Sequence, residues 1–177
     1  MTYNIRRARL DDIEDVSRLF DQYRMFYQQT SDIEGAARYI RERLERNESV
    51  IWIAEKEAFP GTGKGEKADD THHNEGSHGN TDSSIQTPLA GFVQLYPSFS
   101  SVSMSPIYVL NDLFVHTEYR QQGIARKLLQ AAQNRARETR AIRITLSTAI
   151  SNKQAQVLYE SEGYAKDTHF LYYELNL

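Results

Sequence analysis

A chain of 177 residues, 40% of them hydrophobic, suffices for one domain with its own core. The lack of cysteine excludes a disulfide framework, thiolate metal ligands and a cysteine nucleophile. The amino terminus MTYNIRRARLDD carries charges where a signal peptide needs an apolar run. No stretch reaches the ~18 apolar residues of a membrane helix, so a soluble, cytoplasmic protein with no membrane partner is expected. The formal net charge of -3 points to no nucleic-acid partner. Residues 58–88 hold Glu66, Asp69, Asp70, Glu75 and Asp82 against Lys64 and Lys67, so the whole deficit lies there and the rest of the chain is formally neutral.

Residues 3–9 read as a first strand. From Asp11, the positions Ile13, Val16, Phe20, Tyr23 and Tyr27 follow the three-and-four spacing of a helix that buries one face, with Asp11 or Asp12 as its cap. A second helix fits Ser31 to Arg46, its Ser31 standing three residues before Glu34 in a capping-box pattern. Val50 to Ala54 is apolar and β-branched, as a buried strand should be. Residues 58–88 then turn to Gly, Ser, Thr, Asn, Asp and His. They bury too little apolar surface to offset ordering entropy, which predicts a long, disordered insertion within a single domain spanning residues 1–177.

Strands follow at Leu89 to Leu95 and Ile107 to Val115. The second is apolar except for Asn111 and Asp112, and a polar pair in a buried strand needs a reason. A helix after Gly123 places Ile124, Leu128, Ala131, Ala132 and Ala136 on one face, and Ile142, Ile144 and Leu146 alternate as in a strand. A helix from about Asn152 to Ser161 ends at Gly163, a natural C-cap, and FLYYELNL closes the chain as a last strand. The predicted order is β-α-α-β-β-β-α-β-α-β.

The strand, tight turn and helix from Leu110 to Arg137 carry the strongest chemical signal. With glycine where the helix begins, main-chain amides of Gln121 to Ala125 point unshielded at one spot, which suits a pyrophosphate. Between residues 120 and 143, Arg120, Arg126, Lys127, Arg135, Arg137, Arg140 and Arg143 stand against Glu138 alone, a field that draws a phosphate-rich ligand.

Arg120-Gln121-Gln122-Gly123-Ile124-Ala125 resembles the Q/R-x-x-G-x-G/A signature of the GNAT family of N-acetyltransferases, whose turn holds the pyrophosphate of acetyl-CoA. SNKQAQVLYESEGY resembles that family's second coenzyme-side motif, with Asn152, Tyr159 and Gly163-Tyr164 in place. The resemblance implies an α/β fold of that type: a central, splayed, mostly antiparallel sheet flanked by helices, here with a long loop insertion. It implies acetyl-CoA as cosubstrate, no metal, and transfer of acetyl to a primary amine in a ternary complex. Leu113, Phe114 and Val115 would offer main-chain contacts to the pantetheine arm. Arg120, Gln121, Gln122, Gly123, Ile124, Ala125 and Arg126 would hold the phosphates, and Asn152, Ala155 and Tyr159 would line the cleft from one helix face.

Tyr159 resembles the family's tyrosine general acid, a phenol that stays protonated at neutral pH; a core tyrosine packing its helix onto the sheet is the alternative. Spermidine/spermine acetyltransferases carry a glutamate followed by an aspartate where this chain has Asn111-Asp112. Asparagine accepts no proton, so the base is Asp112 or a water held by Asn111 and Asp112, with Glu118 third, unless Asp112 only satisfies a bulged backbone. The IYVLNDLFV and LYESEGY blocks are similar to members that acetylate polyamines or histone-type lysines. This favours a small amine or polyamine as acceptor, with a protein lysine or N-terminal amine second. Asp11, Asp12, Glu14, Asp15 and Asp21, with Tyr23, Phe26 and Tyr27, suggest an acidic, aromatic entrance, or acids facing solvent and aromatics facing the core. A non-catalytic acyl-CoA sensor is the alternative to an enzyme. Family members are often dimers through their C-terminal strands, so a homodimer is expected. PGTGKGEK departs from a P-loop at Ala58 and Gly65, and His72, His73, His78 and Glu75 lack neighbouring structure to fix a metal.

Overall fold

The computed structural model describes residues 2–57 and 88–177. Five strands form one sheet in the order β1 (Tyr3–Arg7), β2 (Val50–Lys56), β3 (Leu89–Ser100), β4 (Ser105–Val115) and β5 (Ile144–Leu146). The first four are antiparallel to their neighbours, and β5 runs parallel to β4. This is the mixed α/β architecture expected above.

Both faces of the sheet are covered, which is why β2 reads as an unbroken apolar run rather than an alternating one. On one face lie α1 (Ile13–Phe26) and α2 (Ile33–Glu45), whose Val16, Phe20 and Ile40 pack on Ile51, Ile53, Phe92 and Phe114. On the other lies α3 (Ile124–Glu138), whose Leu128, Leu129 and Ala132 pack on Val50, Ala54, Val93 and Leu95. Leu129 and Ala132 are fully buried, whereas Ala131, predicted for the inner face, is only partly so.

β4 sets the geometry of the site. It pairs with β3 along its length, but β5 meets it only from Tyr108 to Leu110, so among the described residues Asn111 to Val115 have no partner on that side. A register shift against Gln94/Leu95 puts Asn111 at a bulge, and this turns Asn111 and Asp112 differently: Asn111 is exposed and Asp112 is buried.

Several local expectations change. The α1 terminus is preceded by a short helical turn, Leu10–Asp12, and Asp12 makes no side-chain cap for α1; its carboxylate accepts from Arg9 N and bridges to Arg6 instead. The cap of α2 is Asp32, which accepts from Gly35 N at 2.8 Å, while Ser31 donates to Asp21 at 2.6 Å. A carboxylate one residue further along competes better than a hydroxyl for the helix amides. FLYYELNL forms no strand. β5 is only three residues long and residues 170–177 are exposed, with local hydrogen bonds from His169 N and Phe170 N to Asp167 preceding them. The predicted insertion, the P-loop-like stretch and the His72, His73, His78 and Glu75 group lie outside the described residues apart from Pro88. Among those described, no helix is long and apolar enough to cross a membrane, and no three potential metal ligands cluster.

Candidate functional site

A cleft of about 830 Å³ opens beside the unpartnered stretch of β4, between the α3 N-terminus and α4 (Lys153–Ser161). Its size suits a coenzyme-sized ligand. Of the residues singled out by sequence, it brings together Asn111, Leu113 to Val115, Arg120, Gln121, Gly123 to Arg126, Asn152, Ala155 and Tyr159. Asp112 and Gln122 do not line it.

At one end is the turn before α3. Gln121 has φ 61° and Gly123 φ 76°, two left-handed residues flanking Gln122, so successive amides converge as in an anion nest. Among the described residues no side chain caps α3, and a Cβ built on Gly123 would meet nothing within 4 Å. That open space is where a bound group would lie, and the positive helix end faces it. The residues present therefore fit a pyrophosphate. Gln122 turns the other way: its Oε1 accepts from the Tyr3 hydroxyl at 2.8 Å and its amide donates to the Glu118 carbonyl at 3.4 Å, which fastens the turn to β1.

The basic run divides. Arg120 folds back over the Phe114 ring and donates to the Val115 carbonyl at 3.0 Å, and Arg126 is held by Glu162 and by Ser161 at 3.1 Å. Both still line the cleft. Arg135, Arg137, Arg140 and Arg143 do not; at ~1.5 Å rise per residue the helix carries Arg135 and those beyond it roughly 15 Å or more from the turn. Charge counting along the sequence merges two ends of one helix.

At the other end is Tyr159. Asn152 caps α4, accepting from Ala155 N at 3.2 Å, and Gly163, at φ 86°, ends it. Tyr164 N donates to the Tyr159 carbonyl at 3.0 Å and Gly163 N to that of Glu160 at 3.1 Å, a Schellman closure, with the Tyr159 and Tyr164 rings in edge contact at 5.8 Å. The Gly163-Tyr164 pair thus holds Tyr159 in place. Burial pushes the Tyr159 phenol up to about 12, so it stays protonated at neutral pH.

Behind the cleft, Asp112 is 6% exposed on the α1 face of the sheet. Burial pushes its carboxyl up to about 6, against the lowering effect of the neighbouring Tyr23 hydroxyl. Tyr23 donates to the Asn111 carbonyl at 3.2 Å and lines the cleft, so it stands between the buried carboxyl and the open space. Burial first, and the Asp112 charge second, push its phenol well above the ordinary range. Sequence spacing marks Tyr23 only as an inner-face helix residue; its link to β4 spans 88 residues and has no local signature. Ser147 and Thr148, which also line the cleft, follow a strand too short to mark the splay.

The predicted acidic entrance does not form. Asp12 bridges to Arg6, and Glu14 and Asp15 to Arg18. Asp21 is buried and accepts from Ser31, Asp32 N (2.8 Å) and Arg24 (3.2 Å). The aromatic half of that expectation holds: Tyr23, Phe26 and Tyr27 line the cleft, with Tyr27 in edge contact with both others at 5.1 and 5.2 Å.

Comparison with known proteins agrees with this geometry. The family model described as Acetyltransferase (GNAT) family matches residues 16–164. The chain is 42% identical over 174 residues to an uncharacterized N-acetyltransferase, YhfO, of Bacillus subtilis (strain 168), covering 98% of this chain and 97% of that one. A crystal structure of a probable acetyltransferase superposes with a TM-score of 0.76 at 35% identity, covering 98% and 97% of the two chains. A predicted acetyltransferase of Clostridium acetobutylicum, solved with acetyl-CoA, shares the fold at 18% identity with a TM-score of 0.67, covering 99% and 96%. An amide-lined turn at a helix start, a splayed β4 edge and family-wide similarity over most of the length lead to one conclusion: this chain belongs to the GNAT acetyltransferase family and is an acyltransferase enzyme.

Proposed function

We propose that the protein transfers acetyl from acetyl-CoA directly to the primary amine of a small molecule, with both substrates bound in one cleft. The observation that carries this reading is the continuity of that cleft, which joins the Gly123 turn to Tyr159 along the unpartnered backbone of β4. The Clostridium acetobutylicum neighbour, solved with acetyl-CoA, supports the choice of donor. Amides of the turn, from Gln121 to Ala125, hold the pyrophosphate. The backbone of Leu113 to Val115 pairs with the extended arm, and Asn152 and Ala155 form the opposite wall.

In the reaction the amine nitrogen forms a bond to the acetyl carbon and the carbon–sulfur bond breaks. An acceptor arriving as ammonium gives up two protons overall; one goes to the leaving thiolate and one to solvent. Tyr159 donates to the sulfur. A phenol near 12 against a thiol of ~8.5 makes complete transfer uphill by roughly 4–5 kcal/mol, so its main contribution is a hydrogen bond that strengthens as charge develops on sulfur.

Asp112 accepts the first proton. Because its carboxyl is buried on the far face, the proton passes by way of the Tyr23 hydroxyl, which turns its own hydrogen from the Asn111 carbonyl to Asp112 as it accepts the proton of the amine; Asp112 then returns that proton to solvent by the same route. Asn111, exposed in the cleft and unable to accept a proton, positions the acceptor.

The test is thiol release from acetyl-CoA across a panel of amines and basic peptides. No release above background with any of them ends the reading. Tyr159→Phe should lower kcat by ~10²-fold while calorimetry shows coenzyme affinity little changed.

The whole chain is read as one domain acting in the cytoplasm, a compartment its lack of cysteine suits. A homodimer is proposed as well. Phe170, Leu171, Tyr172 and Tyr173 are each at least 79% exposed, and a second copy would cover them. Light scattering of the whole chain and of one ending at Asp167 tests this; a monomeric full chain overturns it.

A further inference from the structure

We infer that the acceptor is a monoamine on a flat, apolar body, of the arylalkylamine type, and that Phe26 and Tyr27 select it against polyamines. The inference rests on the transferase reading and narrows its acceptor. The acceptor end of the cleft is walled by the last turns of α1, where Tyr23, Phe26 and Tyr27 form an edge-to-face cluster. Phe26 and Tyr27 are 54% and 43% exposed, so each keeps ring surface free toward the cleft beyond its contacts within the cluster. A smaller recess of about 410 Å³ continues the cleft there, lined by these two rings with Gln28, Ala149, Ser151 and Asn152.

Charge decides between acceptor classes. Among the described residues no carboxylate lines either space; the only ionic side chains are Arg120 and Arg126, both at the coenzyme end. Of the acids expected to attract a polyamine, Asp12, Glu14, Asp15 and Asp21 are paired with Arg6, Arg18 and Arg24, and neither they nor Asp11 line the cleft. A polyamine would leave its second ammonium in an aromatic recess without an anion and its chain near two arginines. A monoamine places its one ammonium at Tyr23, in front of the buried Asp112 carboxyl, and lays its body against the rings.

The experiment measures kcat/KM with saturating acetyl-CoA for phenethylamine, tyramine, hexylamine, putrescine and spermidine, in the full-length protein and in Phe26→Ala and Tyr27→Ala. Coenzyme binding is followed in parallel by calorimetry. Phenethylamine and tyramine should exceed spermidine by at least ~10-fold. Each variant should raise their KM by ~5-fold or more, with kcat and coenzyme affinity little changed. Spermidine or putrescine at parity or better, or variants with unaltered KM, overturn the inference while leaving the transferase reading intact. Coenzyme binding without turnover of any amine or peptide overturns both.

Discussion

The Tyr3 hydroxyl at the start of β1 donates to Gln122 Oε1 at 2.8 Å, tying one edge of the sheet to the turn that opens α3. The Tyr3 ring is itself fixed by edge contact with Tyr119 at 6.2 Å. Tyr3→Phe keeps that packing and removes only the hydrogen bond, which contributes about 1 kcal/mol. Coenzyme affinity should fall by ~3–5-fold in calorimetry while kcat at saturating acetyl-CoA stays within twofold, because Tyr159 is untouched.

Gly123→Ala separates strain from occlusion. At φ 76° an alanine costs about 1–2 kcal/mol, and the new Cβ would enter open space rather than protein. A melt should therefore show a modest loss of stability. The coenzyme, whose diphosphate needs that space, should lose far more than the melt implies, ~10²-fold or greater in affinity. Equal losses in the two measurements would place the pyrophosphate elsewhere.

Asp112 gives opposite predictions for stability and rate. Its folded carboxyl, raised from 3.8 to about 6, makes a contribution that is fully present below the unfolded value and lost as pH rises through about 6. That loss corresponds to about 3 kcal/mol. Asp112→Asn should thus be more stable than the parent at pH 8 by up to that amount, and about equal at pH 4, in urea titrations. In kinetics the parent should rise with pH to a plateau above about 6, because an ionised Asp112 and a charged amine are the reacting pair. The asparagine variant should be slower and continue climbing toward the pKa of the free amine. A parent profile without that plateau removes Asp112 from the chemistry.

Asp21 anchors the connection from α1 to α2. Burial pushes its carboxyl up, but hydrogen bonds from Asp32 N, Ser31 and Arg24 outweigh this and hold it below its ordinary value. Its contribution is therefore present above the unfolded value and lost as pH falls through the folded one. Asp21→Ala should cost about 2 kcal/mol at pH 7, since it removes the buried carboxylate that accepts from the Ser31 hydroxyl, the Asp32 amide and Arg24. Acceptor KM should rise, because the rings of Phe26 and Tyr27 sit at the end it secures, with coenzyme affinity unchanged.

Periodicity and turn chemistry act over a few residues, and what depends on them was legible in the chain itself. The inner positions Ile13, Val16 and Phe20 of α1 and Ile124, Leu128, Ala132 and Ala136 of α3, the Gly123 turn and the Gly163 stop could be read from spacing and turn chemistry. Those local signals also carry the family resemblance, so the class of enzyme was already apparent. Pairings across long sequence separations were decided by the tertiary structure: which way the bulge at Asn111 turns Asp112, that Tyr23 reaches β4, that Tyr3 holds Gln122, and that none of the acids from Asp11 to Asp21 lines the cleft. FLYYELNL has the alternation of a strand, but a strand needs a neighbour with free backbone groups, and only the assembled sheet determines whether one is offered. A residue's type and its local neighbours are inherent in sequence, whereas solvation, charge compensation and strand partnership exist only once distant segments meet.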